Sequence, residues 1–495
     1  MSEPRTASAV ARAPGFVHFL THQDLNLCRA KVILQHGTPK RGTLSEDDRH
    51  RAGKTALRAA FRRTGTRHGC DCGAVAGARR LRTRFQSLFE LHRQRPRHPE
   101  EKARREQVRT DLYDLLSPAY RLDVPLVSEA SIAALEIAIQ RYQEIAASGG
   151  WPLAPQKVTL RPGDRGSEIV AIRQHLVIEG DLPAGSHRNA TFDREFLEGI
   201  SRYQIRNGLR VSGFVDQRTL AALNVPAQER LVQLETNLKR LRGLMSINKA
   251  PRYVLVNVPA YFAQAVEGGA LALESNVITG KPARATPQVS AKIVEVNFYP
   301  TWSVPEIVAQ QDLIPKIRKD PDYFTAEHFT VMTDWKSPPL DPTTVDWESP
   351  QVARYKFRQD PGPHNALGLV RINMPNKHSV YMHDTPLKQL FSQSARAFSS
   401  GCVRVQKVLE LVAWLLGEQS GWTLAKVEEQ IASGNKLDVK LPQPVPVHFV
   451  YLTAFASGNG VAQFRPDIYG RDATFGAPDD PQDAVVAQQA RAVTP

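Results

Sequence analysis

The chain has 495 residues, with 64 Lys and Arg against 50 Asp and Glu, a formal charge of +14. The whole surplus sits in residues 1–110, which carry 24 basic and 10 acidic side chains, while the rest of the chain carries 40 of each. That balance removes the electrostatic case for nucleic-acid binding by the body of the chain, and no stretch approaches the roughly 18–20 uninterrupted apolar residues of a transmembrane span.

Residues 1–110 read as a basic, disordered extension rich in Arg and His, with a basic helix conceivable over Ala76 to His92. Arg5, Arg12 and Pro14 interrupt the first twenty residues, so no apolar core of a secretory signal is visible. Cys70 and Cys72 are too sparse for a zinc site, and neither a metal nor a cofactor is expected anywhere in the chain. Residues 111–155 form a helical scaffold segment. Its helix runs from Ser128 to Ala147, with Ile132, Leu135, Ile139 and Tyr142 at helical spacing, and Gly149, Gly150 and Pro152 stop it.

Residues 156–226 make a compact module of three helices, over Ser167 to Ile178, Asp193 to Asn207 and from Asp216, with Gly180 and Gly208 ending the first two. Gln228 to Leu244 is a linker helix within 227–250. From Pro251 the period changes to two. Strands are expected at Tyr253 to Val258, Leu271 to Ile278, Ile293 to Phe298, Gly368 to Ile372, Ser379 to His383, Leu437 to Leu441 and Val447 to Thr453. Helices are expected at Thr385 to Ser392, Gln406 to Leu416 and Thr423 to Ala432. Residues 301–360, rich in Pro, Asp and Trp, read as an insertion folded over the sheet, and 476–495 as a disordered tail. The fold class is α+β and multidomain: a small three-helix module, then a mainly β domain over 251–475.

Cys402 is the single cysteine after residue 110, so that body holds no disulfide. Its surroundings, Arg-Ala-Phe-Ser-Ser-Gly-Cys-Val-Arg from Arg396 to Arg404, place it on a turn of small residues rather than inside a strand. Gly401 would let a substrate carbonyl approach the backbone N–H groups that hold an oxyanion. Arg404 would favour the thiolate, and an ordinary thiol needs a base at neutral pH. Of the seven histidines after residue 110, His383 is the best partner. It ends a strand 19 residues before Cys402, and Asp384 or a backbone carbonyl could fix its tautomer. The plainer alternative is that His383 merely ends a strand and Asp384 caps the helix that follows.

His383-Asp384-Thr385-Pro386 followed by Ser399-Ser400-Gly401-Cys402-Val403-Arg404 resembles the signature of the L,D-transpeptidases with the YkuD domain, and in particular the large Gram-negative murein enzymes. Supporting motifs lie at Gly280-Lys281-Pro282, Thr286-Pro287, Asn297 to Trp302, Arg358-Gln359, Asn365 to Gly368 and Asp467 to Asp472. Leu160 to Gly166, Tyr203-Gln204, Gly213 and Thr219 to Asn224 resemble the peptidoglycan-binding domain of wall enzymes, a match to scaffold residues only.

The resemblance implies that Cys402 is nucleophile and His383 base, with Ser400, Gly401 and Asp384 supporting the loop and oxyanion, and Ser399 and Arg404 at the substrate. Many relatives have His where Ser400 stands, which leaves the base role here to His383 alone. The implied reaction joins the third residues of two peptidoglycan stem peptides, a donor tetrapeptide and an acceptor amine, through a thioester. The alternatives are an L,D-carboxypeptidase or a non-catalytic wall-binding protein. Carbapenems are the implied covalent inhibitors at Cys402. The implied location is the periplasm or cell envelope, despite the missing signal.

Overall fold

The computed structural model describes Tyr113 and residues 116–155, 158–417, 420–458 and 460–473. The expected basic extension, with its helix over 76–92, and the tail over 476–495 lie outside the described residues.

Helix α1 (Glu129–Ala147) starts where expected, because the Ser128 hydroxyl accepts from the Ser131 N–H as an N-cap. The module contains α2 (Ser167–Glu179), α3 (Arg194–Arg206) and α4 (Gln217–Leu223), the last two capped by Asp193 and Asp216. Gly180, at φ +85°, terminates α2 in the left-handed conformation. Phe192, Phe196, Ile200, Leu176 and Leu223 fill its core. The Gln204 amide, wholly buried, donates to the Ser212 hydroxyl, the Phe214 carbonyl and the Thr219 hydroxyl, tying the third helix to the preceding turn. Linker helix α5 spans Ala227–Gly243.

The β domain is a nine-stranded sheet that closes on itself. Its strands are β1 (Arg252–Asn257), β2 (Phe262–Glu267), β3 (Ala270–Gly280), β4 (Val289–Phe298), β8 (Val370–Asn373), β9 (Met382–His383), β10 (Ala397–Ser399), β11 (Val403–Val405) and β12 (Leu437–Val450). They run in the order β10-β3-β11-β9-β8-β4-β12-β1-β2, and β2 also pairs with β3. β10 hangs on the end of β3, next to the barrel's mouth. β1 is buried from Tyr253 to Asn257 because both faces are covered. Val254 and Val256 enter the barrel core, whereas Tyr253 and Leu255 pack against α1 and α5 in a second core.

Three readings need correction. β2 is a full strand that the sequence did not suggest. The two late strands are one, β12, with an irregularity between Lys440 and Val445. The insertion is not merely irregular: β5 (Trp302–Ser303), β6 (Phe329–Met332) and β7 (Lys356–Gln359) form a small antiparallel sheet. With Ile314, Ile317, Phe324, Val331 and Phe357 it builds a separate core, so this lid folds as a unit.

The module is docked by polar contacts. Arg465 Nη1 donates to the Arg206 carbonyl at 3.0 Å and Arg230 Nη2 to Asn207 Oδ1 at 3.2 Å. At the same junction Arg206 bonds both Asp181 and Glu179, and the Tyr142 hydroxyl of α1 donates to Glu179 at 2.5 Å. Buried charges held this way are costly to unpair, which fixes the module's orientation on the scaffold.

Candidate active site

β9 and β11 are parallel neighbours, with Met382 opposite Val403 and His383 opposite Arg404. The nineteen-residue interval needs only a short 3₁₀ turn (Lys388–Ser392) and β10 to bring the chain back. Cys402 follows the bend at 400–401 and is only partly exposed; His383 is 4 % exposed. The structure thus brings the predicted nucleophile and base to one strand end.

The loop around Cys402 is defined amide by amide. Ser399 Oγ accepts from the Gly401 N–H at 3.2 Å and donates to the Cys402 carbonyl at 2.5 Å. Val403 N–H donates to the Tyr381 carbonyl. Thr286 Oγ1 donates to the Gly401 carbonyl at 2.8 Å. Among the described residues none accepts from the Cys402 N–H. Gly401 has φ +116°, a conformation that L side chains rarely adopt, although an added Cβ would meet nothing closer than 3.7 Å. Conformation rather than space therefore requires this glycine.

Electrostatics contradict one expectation. Arg404 does favour the Cys402 thiolate, but burial outweighs it, and the thiol is pushed up to about 11. The thiol's polar neighbours are the backbone and hydroxyl of Tyr381. Burial, reinforced by the Arg404 charge, drives the His383 imidazole down to about 3. His383 is therefore neutral at physiological pH. The carbonyls of Asp384 and Leu367 lie against its ring, and its Nδ1 is buried without a partner. The thiol is accordingly not hydrogen-bonded to Nδ1.

The supporting residues divide differently from expectation. Asp384 caps no helix: its carboxylate accepts from the Leu369 N–H at 3.0 Å and pairs with Lys388. Gly368 must be glycine beside it, since a Cβ there would come within 2.4 Å of the carboxylate. A backbone carbonyl, not Asp384's side chain, is what meets the imidazole. Ser399 is 3 % exposed, and its hydroxyl bonds within the loop. Ser400 is exposed at the bend. Arg404 is part-exposed, and its Nε has no partner.

Two aromatic residues were missed. Tyr381 lies two positions before His383, with ring centroids 5.7 Å apart, and its hydroxyl reaches both Cys402 and the lid's Trp302. The i, i+2 spacing on one strand face was the available signal. The lid is tied to the loop after β3 by Arg284 and Asp312, 2.6 Å apart, with Lys281 at 3.9 Å.

Comparison with known proteins agrees with this geometry. Residues 251–441 match the family model described as the YkuD "L,D-transpeptidase catalytic domain", and residues 165–223 that described as "Putative peptidoglycan binding domain". A Haemophilus influenzae protein described as "Putative L,D-transpeptidase" is 36 % identical over 241 residues. The alignment covers 48 % of each chain, so this chain spans about half the length of that curated relative. Among solved structures, an L,D-transpeptidase from Stackebrandtia nassauensis is 13 % identical, with 62 % of this chain and 98 % of that one covered at a TM-score of 0.23. One from Mycobacterium smegmatis is 12 % identical, with 41 % and 59 % covered at a TM-score of 0.20. Superpositions this loose carry no argument. The two family matches establish that the chain carries a YkuD L,D-transpeptidase catalytic domain with a peptidoglycan-binding domain on its N-terminal side.

Proposed function

We propose that the protein is a cysteine L,D-transpeptidase that joins peptidoglycan stem peptides in the cell envelope. The observation that carries the reading is the Cys402 loop: a part-exposed thiol, an adjacent N–H with no protein acceptor among the described residues, and a neutral imidazole on the neighbouring strand. Cys402 Sγ attacks the carbonyl of the third stem residue while its proton passes to His383. The developing oxyanion is received by the Cys402 N–H. Collapse breaks the peptide bond, His383 returns the proton to the departing D-alanine nitrogen, and a thioester remains. The acceptor's side-chain amine then attacks the thioester, loses a proton to His383 and leaves with the acyl group, restoring the thiol. The lid limits the access of water to that thioester.

The experiment is intact-mass spectrometry of the purified protein with tetrapeptide muropeptides, followed by analysis of the products. We expect an acyl adduct on Cys402 and dimers joined through third residues, both lost in Cys402→Ala. Dimers formed equally well by Cys402→Ala would overturn the reading. Release of D-alanine without dimers would assign a carboxypeptidase instead. A carbapenem should acylate the same sulfur, and periplasmic fractionation of the native cells tests the location.

A further inference from the structure

The loop between β3 and β4 lies against the nucleophile loop, and its Thr286 is fully buried. Its hydroxyl has two bonds. It accepts from the Gly280 N–H at 2.8 Å and donates to the Gly401 carbonyl at 2.8 Å. Its own N–H donates to the Tyr469 hydroxyl at 3.1 Å, and that hydroxyl donates to the Gly280 carbonyl at 2.6 Å. Tyr469 is held in turn by the C-terminal segment. Its ring stacks on Tyr451, and Tyr451 donates to Asp467 at 2.6 Å. Arg240 of α5 reaches Asp472 at 2.5 Å and the Arg471 carbonyl at 2.6 Å.

The Gly401 carbonyl and the Cys402 N–H belong to one trans peptide and point in opposite directions. Holding the carbonyl on Thr286, inside the protein, therefore aims the N–H away from Thr286. Glycine at 401 makes this hold necessary, because the residue that permits φ +116° also leaves the following peptide free to rotate. The N–H groups of Gly401 and Val403 already have acceptors, so that of Cys402 is the one whose direction matters to a reacting carbonyl.

We propose that Thr286 is a positioning residue that orients the Gly401–Cys402 peptide so that the Cys402 N–H receives the oxyanion, and that Tyr469 holds Thr286 in place from the C-terminal segment. This rests on the transpeptidase reading. Thr286 touches neither substrate nor reacting atoms; it acts through the peptide.

The test compares two reactions of the same sulfur. Acylation by a carbapenem passes through an oxyanion, whereas alkylation by iodoacetamide does not. In the full chain, Thr286→Val, which keeps shape and loses the hydroxyl, should slow acylation by roughly 10- to 100-fold, less than the roughly 100- to 1,000-fold of a donor removed outright, because the N–H is misdirected rather than lost. Alkylation read on the Cys402 peptide should stay within about twofold, and the muropeptide kcat should fall with KM unchanged. Thr286→Ser should restore acylation. Tyr469→Phe should give a smaller acylation defect with the same selectivity, and it decides the matter if Thr286→Val fails to fold. Parallel losses of acylation and alkylation, or no loss in either, would overturn the proposal. Absence of acylation in the parent protein would instead overturn the transpeptidase reading, and the proposal with it.

Discussion

The protonation state of the dyad is open to direct measurement. An unperturbed thiol with pKa about 8.5 is ionised to about 3 % at pH 7. At about 11, Cys402 is ionised to about one part in ten thousand, so its alkylation at pH 7 should be roughly 300 times slower than that of an exposed cysteine of equal intrinsic reactivity. The perturbation is pH. Iodoacetamide labelling of the Cys402 peptide, followed by mass spectrometry from pH 6 to 11, should rise about tenfold per unit without levelling below pH 10. Burial causes the rise, Tyr381 and Arg404 oppose it, and His383 is not among the groups acting on the thiol. His383→Gln should therefore leave the alkylation profile in place while removing acylation by a carbapenem. A plateau below pH 8 that disappears in His383→Gln would refute the reasoning, because it would mean a thiolate paired with imidazolium.

Acid stability should carry the mark of the same histidine. Folded His383 titrates near 3 against about 6.5 when unfolded, so the unfolded state binds the extra proton between those values. Stability is therefore intact above about pH 6.5 and falls toward pH 3 by about 1.4 kcal/mol per unit from this group, a slope that urea titrations should find missing in His383→Gln. Gly401→Ala should cost about 1–3 kcal/mol of strain, read as lost acylation together with a melting temperature lowered by a few degrees, although its Cβ has room. Gly280→Ala should unfold the protein more readily, because its Cβ would lie 2.2 Å from the Arg284 carbonyl. Asp312→Asn removes a half-exposed ion pair between lid and loop, worth about 0.5–1 kcal/mol; the ratio of thioester hydrolysis to transfer should rise by roughly two- to fivefold.

Much of this was legible because local chemistry and tertiary structure agree. Ser128, Asp193 and Asp216 cap the helices they precede; apolar spacing identified α1 and α5, and a terminal glycine marked the end of α3. What escaped did so for physical reasons. β2 reads Phe-Ala-Gln-Ala-Val-Glu, in which Gln264 is wholly buried because it accepts from the Leu126 N–H and donates to Glu274. A buried polar residue satisfied by one partner 138 positions away and another ten positions away breaks the alternation on which strand recognition depends. The lid's core is built from residues spread over 304–357, with no element long enough to show a period. At the site, residue type and spacing offered Cys402 and His383 as a candidate pair, and the family resemblance of the motifs around them is what singled it out. The rise of the thiol was not, because Arg404 is visible in the sequence and desolvation is not.

That raised pKa bears on how such a thiol is kept usable. Oxidation, like alkylation, proceeds through the thiolate, so a sulfur held protonated by burial is slow to react with oxidants and with stray electrophiles. The same burial keeps His383 unprotonated but makes it a weaker base, so proton transfer from the thiol has to be coupled to attack on a substrate carbonyl. On the proposed transpeptidase reading, reactivity then depends on a carbonyl that sits at the Cys402 N–H, where proton transfer to the imidazole and stabilisation of the oxyanion occur together. Selectivity for acyl donors follows from where charge is allowed to develop. It resides in the orientation of one peptide group, which ties the nucleophile's chemistry to the Thr286 and Tyr469 contacts behind it.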